Sequence, residues 1–163
     1  MNYDLLIKKA LEENITEIEV YSQHTEGLNI SLFDGKVDQY NMNDATAVAI
    51  RGIYRGQMGY VSTENLDNES IDYLIGKLKD NASILTSTEK SFIYEGSESY
   101  PEVKAADALF MKLNPQVKID LLMKLEETIK EKDVRITGVG NCSYREAKID
   151  TVIQNSKGLR LES

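Results

Sequence analysis

The sequence predicts an α+β fold, an antiparallel β-sheet meander with packed helices, and three observations predict it. Segments in which apolar and polar residues alternate recur along the chain, as half-buried strands require. The pairs Asp34-Gly35 and Arg55-Gly56 fall between such segments, and Gly-containing pairs there signal hairpin turns. Two stretches with apolar residues at helical spacing open the two halves of the chain.

Taken in order, Tyr3, Leu6, Ile7, Ala10 and Leu11 recur at helical spacing and predict a helix ending near Asn14. Ile18 and Val20 alternate with Glu17, Glu19 and Tyr21, and Leu28, Ile30 and Leu32 alternate with Asn29 and Ser31. They predict two strands with a turn at Thr25-Glu26-Gly27 between them. In LFDGKVDQY the tight turn needs positive φ, which Gly35 adopts without a Cβ clash, so the chain reverses into a third strand over Val37 to Met42. A fourth strand is expected from Ala45 to Tyr54, and Arg55-Gly56 turns it into a fifth, QMGYVST. Asp67 or Asn68 caps a second helix with Ile71, Leu74, Ile75 and Leu78 on one face. From Thr86 to about Pro101 the text is polar and aperiodic, as a surface connector is.

The second half repeats the opening. Asn114-Pro115 starts a helix, with Pro115 suited to its first turn and Leu121, Leu122, Leu125 and Ile129 as its buried stripe. VRITGVGNCSY, a turn near Arg145-Glu146, AKIDTVIQN, a turn at Ser156-Lys157-Gly158 and LRLES then reproduce the order helix, hairpin, turn, strand. DLLIKKALEEN at Asp4 also matches DLLMKLEETIKEK at Asp120. An internal duplication of the helix and hairpin unit explains this, placing Leu6, Ile7 and Ala10 at positions equivalent to Leu122, Leu125 and Ile129. Chance likeness between two Lys and Glu rich helices is the other explanation. LRLES stops without a following turn or partner and reads as a cut chain. The expected organisation is residues 1–85 as helix, meander and second helix, 86–114 as connector, and 115–163 as the repeat, packed with the first half as one amino-terminal domain of a longer protein.

Composition bounds the function. A formal net charge of -8 over 163 residues argues against a nucleic-acid partner, because phosphate-backbone binding needs concentrated Lys and Arg. The amino-terminal text has charges in its first turns and no unbroken apolar run, so it is neither a signal peptide nor a membrane span. One cysteine excludes an internal disulfide framework and fits a reducing compartment, so a cytoplasmic protein is expected. A catalytic zinc normally takes three or more protein ligands, often a His pair on one helix, and the chain has one His and one Cys. His24 reads as a surface turn residue, and Cys142 as a small half-buried hydrophobe with no second His to activate it. Gly52, Gly56 and Gly59, like Gly138 and Gly140, match neither a P-loop nor a dinucleotide fingerprint and read as turns and bulges. Glu12-Glu13 and Glu126-Glu127 read as solvated helix faces beside lysines. The residues therefore offer no catalytic, cofactor-binding or metal-binding site.

The order of these pieces resembles the amino-terminal part of the TldD/PmbA family, also described as modulators of DNA gyrase, and is nearest the PmbA (TldE) type. The text that carries the resemblance is EIEVYSQHTEGLNISLFDGKVDQYNM, TAVAIRGIYRGQMGYVSTENL and the closing NSKGLRLES. Ala47 and Ala49 stand where many members carry glycine. The resemblance implies a zinc metallopeptidase in TldD-type members, whose His-Glu-x-x-x-His motif lies beyond this region, and PmbA-type partners without it. No residue here matches that motif, so no cofactor is expected in this chain, with zinc left to a TldD-type parent or partner. The expected function is a non-catalytic module that shapes a peptide chamber and a subunit interface for proteolysis or peptide maturation. Its partners would be a TldD/PmbA-type subunit or a second copy, and unfolded or extended peptides. Two alternatives stay open: a stand-alone module that binds peptides by β-strand addition, and, ranked lower, a small enzyme using Cys142.

Overall fold

The computed structural model describes residues 1–101 and 108–163; residues 102–107 of the expected connector lie outside the described residues. Helix α1 spans Tyr3–Glu12, where the Asn2 side chain accepts a hydrogen bond from the Leu5 amide at 3.0 Å and Asp4 complements the helix dipole. The strands are β1 (Ile15–Phe33), β2 (Lys36–Tyr54), β3 (Gln57–Thr63), β4 (Cys142–Asn155) and β5 (Arg160–Glu162), and the helices that follow β3 are α2 (Ile71–Ile84) and α3 (Pro115–Lys132). The strands form one antiparallel sheet in the order β3-β2-β1-β4-β5. The α+β architecture read from the sequence is therefore present, with Asp34-Gly35 and Arg55-Gly56 as its tight turns, all four residues at positive φ.

Two expected turns and one expected break between strands are absent. Thr25-Glu26-Gly27 lies inside β1, Asn43-Asp44 inside β2 and Arg145-Glu146 inside β4, so the strands are 19, 19 and 14 residues long. These turn-like residues sit side by side across the sheet: a Cβ on Gly27 would collide with the Asn43 side chain and come within 3.3 Å of the Glu146 carbonyl. Each polar break is thus held by its neighbours' ladder, and cross-strand pairing overrides local turn preference. Conversely, residues 134–141 of the expected strand VRITGVGNCSY are not strand, and β4 begins at Cys142. LRLES does have a partner, since Val152, Ile153 and Gln154 pair with Glu162, Leu161 and Arg160. A short 3-10 turn at Asn68–Ser70 precedes α2.

The chain forms two compact units. The first comprises Met1–His24, Ala45–Val103 and Asp150–Ser163, the second Thr25–Asp44 and Lys104–Ile149. In the first, α1 and α2 bury Leu6, Ala10, Ile71, Leu74 and Leu78 against Ile18, Val20, Val48 and Ile50. The stretch after α2 also packs here: Ile93 is buried, and its amide donates to Glu17 at 2.6 Å. In the second unit, Leu28, Ile30 and Leu32 pack with Leu122 and Cys142. The expected α3 stripe is corrected, because Leu121 and Leu125 face solvent, Ile129 is half-buried, and the inward positions are Lys118, Leu122 and Glu126. No helix among the described residues is long and apolar enough to cross a membrane.

Two glycines test this packing in opposite directions. A Cβ on Gly59 would meet the Leu78 carbonyl oxygen and the Ala82 amide, whereas one on Gly76, in the middle of α2, meets nothing within 4 Å. Gly59→Ala is expected to destabilise the chain by about 1–3 kcal/mol through forced separation of α2 and β3. Gly76→Ala is expected to stabilise it by about 0.5–1 kcal/mol through reduced unfolded-state entropy. Urea unfolding midpoints of the two variants measure both.

Candidate functional site

The polar centre of the second unit is built by α3 and β4. Asn114 caps α3 by accepting from the Gln116 amide at 2.9 Å, and Pro115 takes a first-turn position where no amide donor is needed. Four-residue spacing then turns Lys118, Leu122 and Glu126 to the same side of the helix. Lys118 is only 3% exposed, and a buried ammonium requires a counter-charge. Glu146 on β4 supplies it, with its Oε1 accepting from Lys118 Nζ at 2.5 Å and its Oε2 accepting from the Tyr144 hydroxyl at 2.6 Å. The Lys118 ammonium also lies 5.7 Å from the centre of the Tyr144 ring. The hydrogen bond to Glu146, reinforced by burial and by the carboxylate charge, pushes the Tyr144 phenol up to about 12.

Lys118 and Glu146 lie at the floor of a groove of about 690 Å³. Its walls include Leu28, Tyr40, Met42, Leu113 and Pro115, with Asn43 and Lys112 beside them. Gly27 leaves this space open, since a Cβ there would fill it against Asn43. One wall is unusual: β3 pairs only with Val48–Tyr54 of β2, so along Lys36–Ala47 no other described strand takes the outer edge of β2. Residues 36–45 are exposed at every position. The arrangement offers, along Lys36–Asn43, backbone donors and acceptors that no other described strand takes, next to flexible thioether and aliphatic surface, with one desolvated ion pair at the bottom. That chemistry suits holding an extended chain.

At its other end α3 clasps the first hairpin. The Gly35 amide donates to Glu126 Oε2 at 3.1 Å, Lys130 Nζ lies 2.6 Å from Glu126 Oε1, and Lys130 is 3.6 Å from Asp34. The Lys130 hydrogen bond, then the Gly35 amide and the Lys130 charge, outweigh burial and hold the Glu126 carboxyl below its ordinary value.

The residues weighed from sequence fall as follows. His24 is not in a turn but within β1, its Nδ1 2.9 Å from Thr46 Oγ1. Cys142 is buried, donates weakly to the Leu122 carbonyl at 3.5 Å and is pushed up by burial, so it is a thiol in an apolar setting. Gly56 serves a turn, while Gly52 and Gly59 permit close packing: a Cβ on Gly52 would meet Ile15 at 2.9 Å. Gly138 and Gly140 face open space. Glu13 pairs with Lys79 at 2.9 Å, as a solvated face would allow. Glu126 corrects the solvated-face reading because it is buried while Glu127 is exposed. Lys118, Tyr144 and Glu146 were missed from sequence. A faint signal existed in the two-residue alternation Cys142, Tyr144, Glu146, which places all three on one face of a strand.

Comparison with known proteins gives a consistent result. Residues 18–82 match PmbA/TldA metallopeptidase domain 1, and residues 111–163 match the PmbA/TldA metallopeptidase central domain. Among solved structures, a candidate modulator of a DNA gyrase from Thermotoga maritima is 26% identical with a TM-score of 0.83, and covers 99% of this chain with 36% of its own. TldE from Thermococcus kodakarensis is 18% identical with a TM-score of 0.84, again with 99% and 36% covered. A candidate modulator of DNA gyrase from Bacteroides thetaiotaomicron is 21% identical with a TM-score of 0.85, with 98% and 37% covered. The chain thus spans little over a third of the length of these structures. None of the curated proteins matches it.

Two predictions follow from the buried charges. Lys118→Met leaves Glu146 buried without its counter-charge and is expected to cost about 3–5 kcal/mol, most of which Glu146→Gln in the same chain restores; denaturant melts of the single and double variants decide it. Because the folded-state Glu126 value is depressed, its contribution is fully present above the ordinary carboxylate range and is lost as pH falls through the folded value. Glu126→Gln is accordingly expected to flatten the acid limb of a stability-against-pH curve, leaving less difference between the two proteins at low pH than at neutrality.

Proposed function

Since the chain belongs to the PmbA/TldD metallopeptidase family and carries its first and central domains, we propose that it is the non-catalytic, cytoplasmic amino-terminal module of a longer peptidase-related protein. In this reading it shapes a peptide chamber and a subunit interface, and extended or unfolded peptides are what it holds. One observation carries the peptide role: the outer edge of β2 over Lys36–Asn43, which no other described strand takes, borders the groove lined by Tyr40, Met42 and Leu113. An incoming strand would gain backbone hydrogen bonds from the edge while its alternate side chains enter the groove. Lys36, Asp38 and Asp44 place charge along that edge, which limits indiscriminate strand pairing. A stand-alone binding module would use the same edge. In the first unit the Asn81 side chain donates to the Tyr60 carbonyl of the edge strand β3 at 2.7 Å, which disfavours addition there.

We also propose the internal duplication. The order β2-β1-β4-β5 reads alike from both ends, as two helix and hairpin units related by a two-fold would require. The Ile18 amide donates to the Ser156 hydroxyl, and Arg145 Nε donates to Asn29. Arg145 lies 127 positions after Ile18 and Ser156 lies 127 after Asn29, so a single offset carries one pair onto the other. Aligning Asp4 with Asp120, at a different offset, places buried Leu6 on buried Leu122, whereas Leu125 and Ile129, the expected counterparts of Ile7 and Ala10, are exposed and half-buried.

The peptide role is tested with a labelled unfolded casein peptide. Binding by fluorescence anisotropy is expected without new peptide termini in mass spectra and without stoichiometric zinc after dialysis. Met42→Asp is expected to weaken binding about tenfold or more, equivalent to about 1.4 kcal/mol, with the fold intact by circular dichroism because Met42 is exposed. Absence of binding, or cleavage accompanied by one tightly held zinc per chain, would overturn the reading.

A further inference from the structure

On the face of the sheet turned away from α3, the second unit carries an arginine that no carboxylate neutralises. Two-residue alternation puts Asn29 and Ser31 on the side of β1 opposite Leu28, Ile30 and Leu32, and Ser143 and Arg145 on the side of β4 opposite Cys142. Arg51, Arg135 and Arg160 each sit on a carboxylate, at 2.7, 2.6 and 2.6 Å. Among the described residues Arg145 has no such partner, and its one hydrogen bond runs from Nε to the Asn29 amide oxygen at 3.0 Å. That bond fixes two things. It holds the guanidinium plane while leaving the terminal nitrogens of the fork uncommitted, and it occupies the oxygen of Asn29, so that the amide nitrogen is what Asn29 has left to offer.

These groups border a cavity of about 230 Å³ whose polar lining is Asn29, Ser31, Gln39, Asn141, Ser143 and Arg145, with Asp38 as the one carboxylate among its described lining residues. We propose that this cavity is a binding site for a phosphate group, as the inorganic ion or a small phosphomonoester. It lies below the roughly 300–1,000 Å³ of sites for drug-sized molecules, so it suits a compact polar headgroup. Donor number then selects the anion. A carboxylate presents two oxygens, and a bidentate arginine fork takes both. The Asn29 amide and the Ser31 and Ser143 hydroxyls would then have nothing to donate to, whereas the further oxygens of a tetrahedral phosphate give them acceptors. Charge limits the strength: Asp38 opposes the single arginine and the chain carries a net charge of -8, so binding is weak, on the order of 1 mM. The groove floored by Lys118 lies on the α3 side of the sheet, and neither site depends on the other.

The test is titration of inorganic phosphate into the full 163-residue chain at constant ionic strength, followed by amide chemical shifts. Saturable shifts at Asn29, Ser31, Ser143 and Arg145 are expected, with succinate binding about tenfold or more weaker. Phosphoserine separates the two sources: binding at least as tight as that of inorganic phosphate assigns the site to a phosphomonoester, and weaker binding assigns it to the free ion. Arg145→Lys, which keeps the charge and loses the fork, is expected to weaken phosphate binding about tenfold. Ser143→Asp, at an exposed position, is expected to do the same with its urea midpoint unchanged, and Asp38→Asn to tighten binding. Absence of saturable shifts at these residues overturns the proposal. So does succinate binding as tightly as phosphate, or a Ser143→Asp chain with undiminished affinity.

Discussion

The structure depends on the uninterrupted length of β1. One strand supplies Ile18 and Val20 to the cluster beneath α1 and α2, and Leu28, Ile30 and Leu32 to the cluster beneath α3. Each fully buried aliphatic of this size contributes about 1.5–3 kcal/mol, so both clusters rest on one register. A slip by one residue would exchange Ile18, Val20 and Leu28 for Glu17, Glu19 and Asn29, and neither cluster would survive it. Side-chain bonds on the β4 side fix that register at two points, Ser156 on Ile18 and Arg145 on Asn29.

The second unit solves a different problem from the first. The first buries a continuous aliphatic set from two helices, whereas the second has a single helix and a smaller apolar cluster. Its inward face is completed by long polar side chains whose stems fill space and whose ends are matched: Lys118 with Glu146 and Tyr144, and Glu126 with Lys130 and the Gly35 amide. Such pairs add little net stability over apolar residues of the same volume, but they tolerate no wrong partner, so they fix geometry. The leucines displaced from the interior then stand outside on the same helix. Polar order within and apolar surface without are two consequences of one choice of helix face.

This explains what was and was not legible in the sequence. Helices α1 and α2, the turns at Asp34-Gly35 and Arg55-Gly56, strand β3 and the Ser156 to Gly158 turn were all legible, because periodicity and positive-φ residues are local signals. The two false turns and the false break at Asn43-Asp44 were not. Gly27, Asn43 and Glu146 each carry turn-like chemistry locally, and only their adjacency across the sheet shows that ladder pairing holds them extended. Periodicity found α3 but chose the wrong face, since Leu121 and Leu125 form as regular a stripe as Lys118, Leu122 and Glu126, and the decisive partner, Glu146, is 28 residues away from Lys118. Cys142, expected from its alternating strand to be a half-buried small hydrophobe, is buried outright because Leu122 of α3 packs over it. The groove itself was invisible, because nothing local indicates that β3 leaves the first half of β2 uncovered.

The hairpin that opened the chain's pattern is where fold and function meet. A two-stranded arm exposed along one edge is marginal by itself, and an edge that frays cannot serve as a template for an extended chain. Here the far tip is anchored, since α3 binds the Gly35 amide through Glu126 and holds Asp34 near Lys130. Further along the same strand, Val48–Tyr54 are paired with β3. Between these two restraints no described strand takes the outer edge of Lys36–Asn43, yet the segment is fixed in extended geometry by β1 on its other side. A site of this kind needs no reactive side chain. In the proposed reading its function lies in presenting ordered backbone amides and carbonyls beside an apolar groove, and a chain with one histidine and one buried thiol would then contribute position rather than bond cleavage.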